Sequence, residues 1–230
     1  MSTVWSGVRT AARTRAALEG AWIETLPERI KVLAQVSREI MEGHQVELEV
    51  EGPQPRAGSL IACNHLSYLD PLIIMAVVPA MPIAKGEVAD WPLIGAGARD
   101  TGVVFHQRTR VEQGATVLRQ MIRALRAGVS VLNFPEGTTS FGEMLLPFKR
   151  GMFGVARIAE APVVPSHLCF DDRTMCWVGD QGFVPHYLDL LSRPVTRGRL
   201  VFGEPIDPRA YPSAEALSHA SLSAMKALAA

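Results

Sequence analysis

The chain has 230 residues, 48% of them hydrophobic and 20% charged, enough apolar material for one sizeable core and too little charge for a disordered chain. Lysine and arginine total 23 against 23 acidic residues, a net charge of zero that argues against a dedicated nucleic-acid binder. The cysteines are Cys63, Cys169 and Cys176, an odd number with no Cys-x-x-Cys pair, so neither a disulfide framework nor a zinc site is indicated and a reducing, cytoplasmic environment is the simplest inference.

Residues 1–44 read as two helices. The first, over about Trp5 to Glu19, carries Arg9, Arg13 and Arg15 and no acidic residue before Glu19. The second starts at a capping-box pattern, Thr25-Leu26-Pro27-Glu28, and places Ile23, Leu26, Ile30, Leu33, Ser37 and Ile40 on one stripe before Gly43 stops it. Two uses fit this segment and are compatible: a basic amphipathic arm lying on a membrane surface, or a helical hairpin packed on its own domain. From Gln45 to Glu51 apolar and polar residues alternate, the mark of a half-buried strand, and a turn-rich connector over residues 52–58 leads to a second strand, Ser59 to Cys63.

That strand delivers Asn64 and His65 into a short loop, and Asp70-Pro71 opens an apolar helix running to about Val78. If the loop folds back, Asp70 can orient His65 through one ring nitrogen and leave the other to take a proton from a hydroxyl. The plain alternative is that Asp70 is only a helix cap and His65 only a polar loop residue; these residues alone leave both open. The longest apolar stretch, Pro71 to Ala84, is broken by Pro79 and Pro82 and falls short of the roughly 20 residues a membrane span needs. No secretory signal peptide is apparent at the N-terminus, where no continuous apolar region occurs.

Short strands are expected over Met81 to Ala84, ending at Lys85, and over Gly102 to Phe105, with Arg108 just beyond; a short helix and bend, including Trp91-Pro92 and Gly95 to Gly97, lie between them. Val111 to Ala127 has a helical stripe of Val111, Ala115, Leu118, Ile122 and Leu125 and stops at Gly128. A buried strand from Val129 to Phe134 follows, then a loop of small and hydroxyl residues, Pro135 to Gly142, a helix over Met152 to Glu160, and a strand from Pro162 to Phe170. A helix near Pro185 to Leu191, a strand over Arg199 to Phe202 and a helix from about Ala214 to Ala229 complete the chain. Strands alternating with helices predict a single α/β domain with a mixed, largely parallel central sheet flanked by helices, preceded by the two-helix arm.

In such sheets function gathers at the carboxyl ends of strands. His65 and Asp70 follow one strand, Lys85 another, His106 and Arg108 a third, and Glu136, Gly137 and Thr138 a fourth. Each has a plain explanation as a solvated loop end or turn, but together they could surround a hydroxyl acceptor bearing an anionic group.

Four stretches in order strengthen that reading: Asn64-His65 with Asp70, Gly102-Val103-Val104-Phe105-His106-Gln107-Arg108, Phe134-Pro135-Glu136-Gly137-Thr138, and Ala161-Pro162-Val163-Val164-Pro165. With Lys85, Trp91-Pro92-Leu93-Ile94-Gly95 and Phe148-Lys149-Arg150-Gly151, they give about residues 45 to 205 a pattern that resembles the phospholipid/glycerol acyltransferases of the lysophosphatidic acid acyltransferase type. The resemblance implies transfer of a fatty acyl group from acyl-CoA or acyl-carrier protein to a lyso-lipid hydroxyl, most simply 1-acyl-sn-glycerol-3-phosphate. His65 would be the general base and Asp70 its orienter, with no acyl-enzyme, so Cys63 need not be a nucleophile. Arg108 and the Glu136-Gly137-Thr138 loop would hold the acceptor's polar head, Lys85 would add charge, and Glu136 would bind hydroxyls or position the loop. No metal or redox cofactor is implied. Residues 45–230 would be the acyltransferase domain. Residues 1–44, with no membrane span in them, would dock the protein peripherally on the cytoplasmic face of a membrane.

The third motif usually continues Gly-Thr-Arg-Ser in this family, whereas this chain has Gly137-Thr138-Thr139-Ser140. One phosphate-facing cation is thus missing, and the threonine form looks like members that acylate lyso-ornithine lipids or larger lysophospholipids. A non-catalytic lipid-binding module is the alternative of another class.

Overall fold

The computed structural model describes residues 25–86, 88, 103–106 and 111–229. The helix expected over Trp5 to Glu19, the Trp91 to Gly97 segment and Arg108 lie outside the described residues.

Helix α1 (Leu26–Gly43) begins as its capping pattern requires, with the Glu28 carboxylate accepting from the Thr25 N–H at 3.2 Å and from the Thr25 hydroxyl at 2.7 Å. It buries Ile30, Leu33, Ala34, Ser37 and Met41. The Ser37 hydroxyl donates to the Leu33 carbonyl at 2.8 Å, which satisfies the polar member of that stripe. This face packs on α2 (Asp70–Val77), and Arg38 adds a hydrogen bond to the Ala76 carbonyl. The second helix of the expected arm therefore sits on the body of the protein.

Seven strands follow: β1 (Val46–Glu51), β2 (Leu60–Cys63), β3 (Ala80–Lys85), β4 (Val104–His106), β5 (Ser130–Asn133), β6 (Val163–Phe170) and β7 (Thr196–Phe202). They form one sheet in the order β1-β7-β6-β2-β5-β3-β4. All neighbours are parallel except β6 and β7, which are antiparallel, so the sheet is mixed and largely parallel as expected. Strand β2 is central and wholly buried, consistent with its unbroken apolar run Leu60-Ile61-Ala62-Cys63. Helices α3 (Val111–Arg126), α4 (Gly151–Ala159), α5 (Phe183–Ser192) and α6 (Ala214–Leu228) complete the domain, with Met121, Phe153, Leu217 and Met225 buried in its core.

The face of α3 differs from expectation. Ala115 and Leu118 are exposed, and the buried set is Val117, Met121, Ala124 and Leu125. Two apolar stripes about 100° apart coexist on this helix, and periodicity alone does not choose between them.

Candidate active site

The parallel pairing of β2, β5, β3 and β4 points the carboxyl ends of all four strands the same way. The register pairs Ala62 with Asn133, so the chain leaving β2 at Cys63 and the chain leaving β5 at Asn133 emerge side by side.

Asn64 ends β2 by continuing its ladder with a side chain. Its carboxamide donates to the Leu168 carbonyl at 2.9 Å and accepts from the Leu168 N–H at 2.7 Å, gripping β6 at two points while fully buried. His65 follows at once and is braced on every side but one. Its backbone N–H donates to Glu136 Oε1 at 3.0 Å, its carbonyl accepts from the Ser140 N–H at 2.9 Å, and its ring stacks on Phe134 with centroids 4.1 Å apart. Nδ1 lies 2.7 Å from Asp70 Oδ2, and the histidine side chain stays 21% exposed while that of Asp70 is fully buried. A carboxylate partner places the proton on Nδ1 and leaves the Nε2 lone pair available as a base.

Asp70 corrects one sequence reading, that of a helix cap. It is the first residue of α2, with Leu69 in the cap position, so it is not the helix cap. Its carboxylate curls backwards instead. Oδ2 alone accepts from His65 Nδ1, from the Leu66 N–H at 2.5 Å and from the Ser67 N–H at 2.8 Å, whereas Oδ1 is buried with no partner among the described residues. One oxygen thus closes the loop and orients the ring together.

Glu136 is 4% exposed, with Oε1 on the His65 N–H and Oε2 on the Leu146 N–H at 2.9 Å. Burial pushes its carboxyl above the usual range, opposed by these two N–H donors. Each oxygen thus ties a backbone N–H of a neighbouring loop segment. Gly137 adopts φ +72° in the turn after Phe134, Thr138 is exposed, and Thr139 is half-buried. Lys85 ends β3 opposite His106 of β4, so the backbone carries it to the same edge, and its side chain lies outside the described residues. Arg108 lies outside the described residues.

Cys63 is fully buried, and burial, with Asp70 and Glu136 nearby, pushes its thiol well above the usual range. A thiol held neutral and enclosed is no nucleophile.

Other contacts of the loop have no linear signature. The Trp177 N–H donates to the Leu66 carbonyl at 2.8 Å. The Tyr68 hydroxyl pairs with His186 Nδ1 of α5 at 2.9 Å, and His186 Nε2 pairs with the Thr174 carbonyl at 3.2 Å. Because a carbonyl can only accept, Nε2 is the protonated nitrogen and Tyr68 is the donor. A groove of about 540 Å³ opens beside this arrangement, lined by Phe141, Cys176, Gly182, Pro185 and His186 among others. Asn64 could have been found from its place before the histidine; Phe134, Ser140 and His186 needed the folded chain.

The description "Acyltransferase" belongs to the protein-family model that matches residues 44–168. The 1-acyl-sn-glycerol-3-phosphate acyltransferase of Neisseria meningitidis is 34% identical over 164 residues, which cover 70% of this chain and 63% of that protein. The lyso-ornithine lipid O-acyltransferase of Brucella abortus is 31% identical over 187 residues, covering 74% of this chain and 70% of its own. The crystal structure of the 1-acyl-sn-glycerophosphate (LPA) acyltransferase of Thermotoga maritima shares the fold, with a TM-score of 0.66 at 23% identity over 95% of this chain and 86% of that one.

Proposed function

On the premise that the chain belongs to the acyltransferase family, we propose that it moves a fatty acyl group from acyl-CoA or acyl-carrier protein to the free hydroxyl of 1-acyl-sn-glycerol-3-phosphate, giving phosphatidic acid. The observation behind this reading is the 2.7 Å contact between His65 Nδ1 and a buried Asp70, with the rest of the ring at the open edge of the sheet.

An alcohol is a poor nucleophile at neutral pH, so the base must act as the bond forms. His65 Nε2 takes the hydroxyl proton while the oxygen attacks the thioester carbonyl carbon. Asp70 steadies the resulting imidazolium and holds its tautomer. Collapse of the tetrahedral intermediate breaks the carbon–sulfur bond, and the departing thiolate takes the proton from Nε2. Direct transfer accords with the buried neutral Cys63, and the chemistry calls on no metal or redox cofactor. Glu136 holds the His65 backbone in place, Gly137 and Thr138 border the acceptor, and Lys85 and Arg108 supply cations for its phosphate.

Residues 45–230 form the acyltransferase domain in this reading. The segment before it carries Arg9, Arg13 and Arg15 in its first half, and in this reading that basic half docks peripherally on the cytoplasmic face of an anionic membrane. Among the described residues no helix is long and apolar enough to cross a membrane. A lyso-ornithine lipid is the second candidate acceptor, favoured by Thr139 and by the Brucella abortus relative.

The test is to offer purified protein one labelled acyl donor and a mixture of lysophosphatidate and lyso-ornithine lipid, and to identify the labelled product. Phosphatidic acid is expected, with at least a 1,000-fold loss in His65→Ala at a melting temperature within a few degrees of wild type. Full activity in His65→Ala sinks the mechanism. No turnover of any lyso-lipid, together with liposome binding, leaves a non-catalytic lipid-binding module.

A further inference from the structure

Seven large hydrophobic side chains are exposed among the described residues, and four of them flank one opening. Phe141 and Met144 belong to the loop after β5. Val184 and Leu188, four positions apart and so on one face, belong to α5. These four are between 53% and 76% exposed. The other three, Val50, Leu118 and Ile158, are scattered singly over β1, α3 and α4.

The two apolar segments meet across the groove beside the dyad loop. Its lining includes Phe141 from one and Pro185, the residue after Val184, from the other. Glu143, next to Met144, pairs with Arg173 of the same lining. Both segments also hold the chain between His65 and Asp70. On one side the Ser140 N–H donates to the His65 carbonyl at 2.9 Å, and a Cβ added at Gly142 would lie 2.8 Å from Leu66 Cδ2. On the other, His186 of α5 accepts from the Tyr68 hydroxyl at 2.9 Å. The exposed apolar groups therefore border the loop that carries the proposed base.

Area and polarity select the occupant. At about 200 Å² for each side chain when fully exposed, the four present about 400–500 Å² together. A stable protein interface takes about 800 Å² from each partner. Between the apolar rims the groove is lined by Arg173, Thr174, His186 and Asp189, polar groups that a protein partner would have to desolvate. A bilayer surface offers hydrocarbon to the rims and a hydrated headgroup layer to the groove, with no shape to match. We propose that Phe141, Met144, Val184 and Leu188 form a lipid-immersed rim, a membrane contact separate from the basic N-terminal segment, which seats the His65 loop at the bilayer surface. The proposal rests on the lyso-lipid acceptor reading above.

The experiment compares full-length wild type with the triple variant Met144→Gln, Val184→Thr, Leu188→Gln, with melting temperature and size-exclusion elution measured for both. One assay is co-sedimentation with neutral phosphatidylcholine vesicles at high salt, where docking by a basic segment is screened out. The other is acyl transfer to 1-acyl-sn-glycerol-3-phosphate, presented either in such vesicles or as a short-chain monomer in solution. The variant is expected to bind vesicles at least fivefold more weakly and to lose at least fivefold in rate on the vesicle-borne acceptor. Its rate on the soluble acceptor should stay within twofold of wild type. Wild type that does not sediment, or a variant that binds within twofold of it, overturns the proposal and leaves the function standing. So does an equal loss on both acceptors with a lowered melting temperature, which marks these residues as part of the fold. A wild-type dimer that the variant breaks overturns it as well, because the face is then an interface between copies of the chain. Wild type that acylates neither acceptor defeats the lyso-lipid reading, and the sedimentation result alone then decides whether the rim binds membranes.

Discussion

Asp70 supports both the shape of the loop and the charge of the dyad, and two substitutions separate these contributions. In Asp70→Asn the amide oxygen can occupy the place of Oδ2, because the Leu66 and Ser67 N–H donors repel an NH2 group there. The NH2 then falls where Oδ1 sits without a partner among the described residues. The loop and the histidine tautomer are kept, and the negative charge is lost. At about 4 Å and an effective dielectric of about 20, that charge is worth about 4 kcal/mol to an imidazolium, or about three powers of ten in rate. The surviving neutral hydrogen bond returns part of it, so a 100- to 1,000-fold fall in kcat is expected with little change in stability. In Asp70→Ala the buried N–H groups of Leu66 and Ser67 lose their acceptor, at about 1–3 kcal/mol each, so this variant should lose about 2–6 kcal/mol of unfolding free energy as well as activity. Turnover assays paired with urea unfolding distinguish the two. An Asp70→Asn enzyme within tenfold of wild type, or an Asp70→Ala protein as stable as Asp70→Asn, would refute the reasoning.

Two further outcomes are expected. His167 is buried, both ring nitrogens lack partners among the described residues, and burial together with Arg199 holds it below the ordinary histidine range. Its contribution is therefore present above about pH 6.5, the unfolded value, and is lost as the pH falls toward the folded one, since the unfolded chain takes the proton first. His44, also lowered by burial, acts in the same sense, and Glu136, raised by burial, in the opposite one. Melting curves between pH 5 and 7.5 should thus show a shallower acid loss in His167→Leu than in wild type, and identical slopes would count against this account. Deleting residues 1–20 should weaken binding to anionic liposomes in a co-sedimentation assay, with greater effect at low salt; unchanged binding would make that segment purely structural.

Much of this molecule was legible in the chain because its signals are local. The apolar run of β2, the capping pattern at Thr25, the glycine stops and the alternation of strands with helices each depend on a few adjacent residues. The dyad was legible for the same reason, since five positions of chain closed by one carboxylate suffice to build it. What was not legible depends on partners distant in sequence or on a choice between equal patterns. Leu118 belongs to an apolar stripe as regular as the one that is buried, and only packing selects between them. Asp70 before Pro71 has the local form of a cap, but the acceptor-seeking N–H groups of Leu66 and Ser67 lie behind it and win. Phe134 under the histidine ring arises from the pairing of β2 with β5.

The Asn64 carboxamide gives the loop that carries His65 an unusual kinetic standing. Loops at sheet edges normally open on their own, well before the core does. Here the residue next to the histidine is clamped to the backbone of β6, in the interior of the sheet, so the loop cannot lift at this point without also freeing the Leu168 amide. Exchange of that amide proton with solvent and opening of the loop at Asn64 become one event. The proposed site is then as long-lived as the sheet behind it, and any motion that admits substrate has to come from its borders.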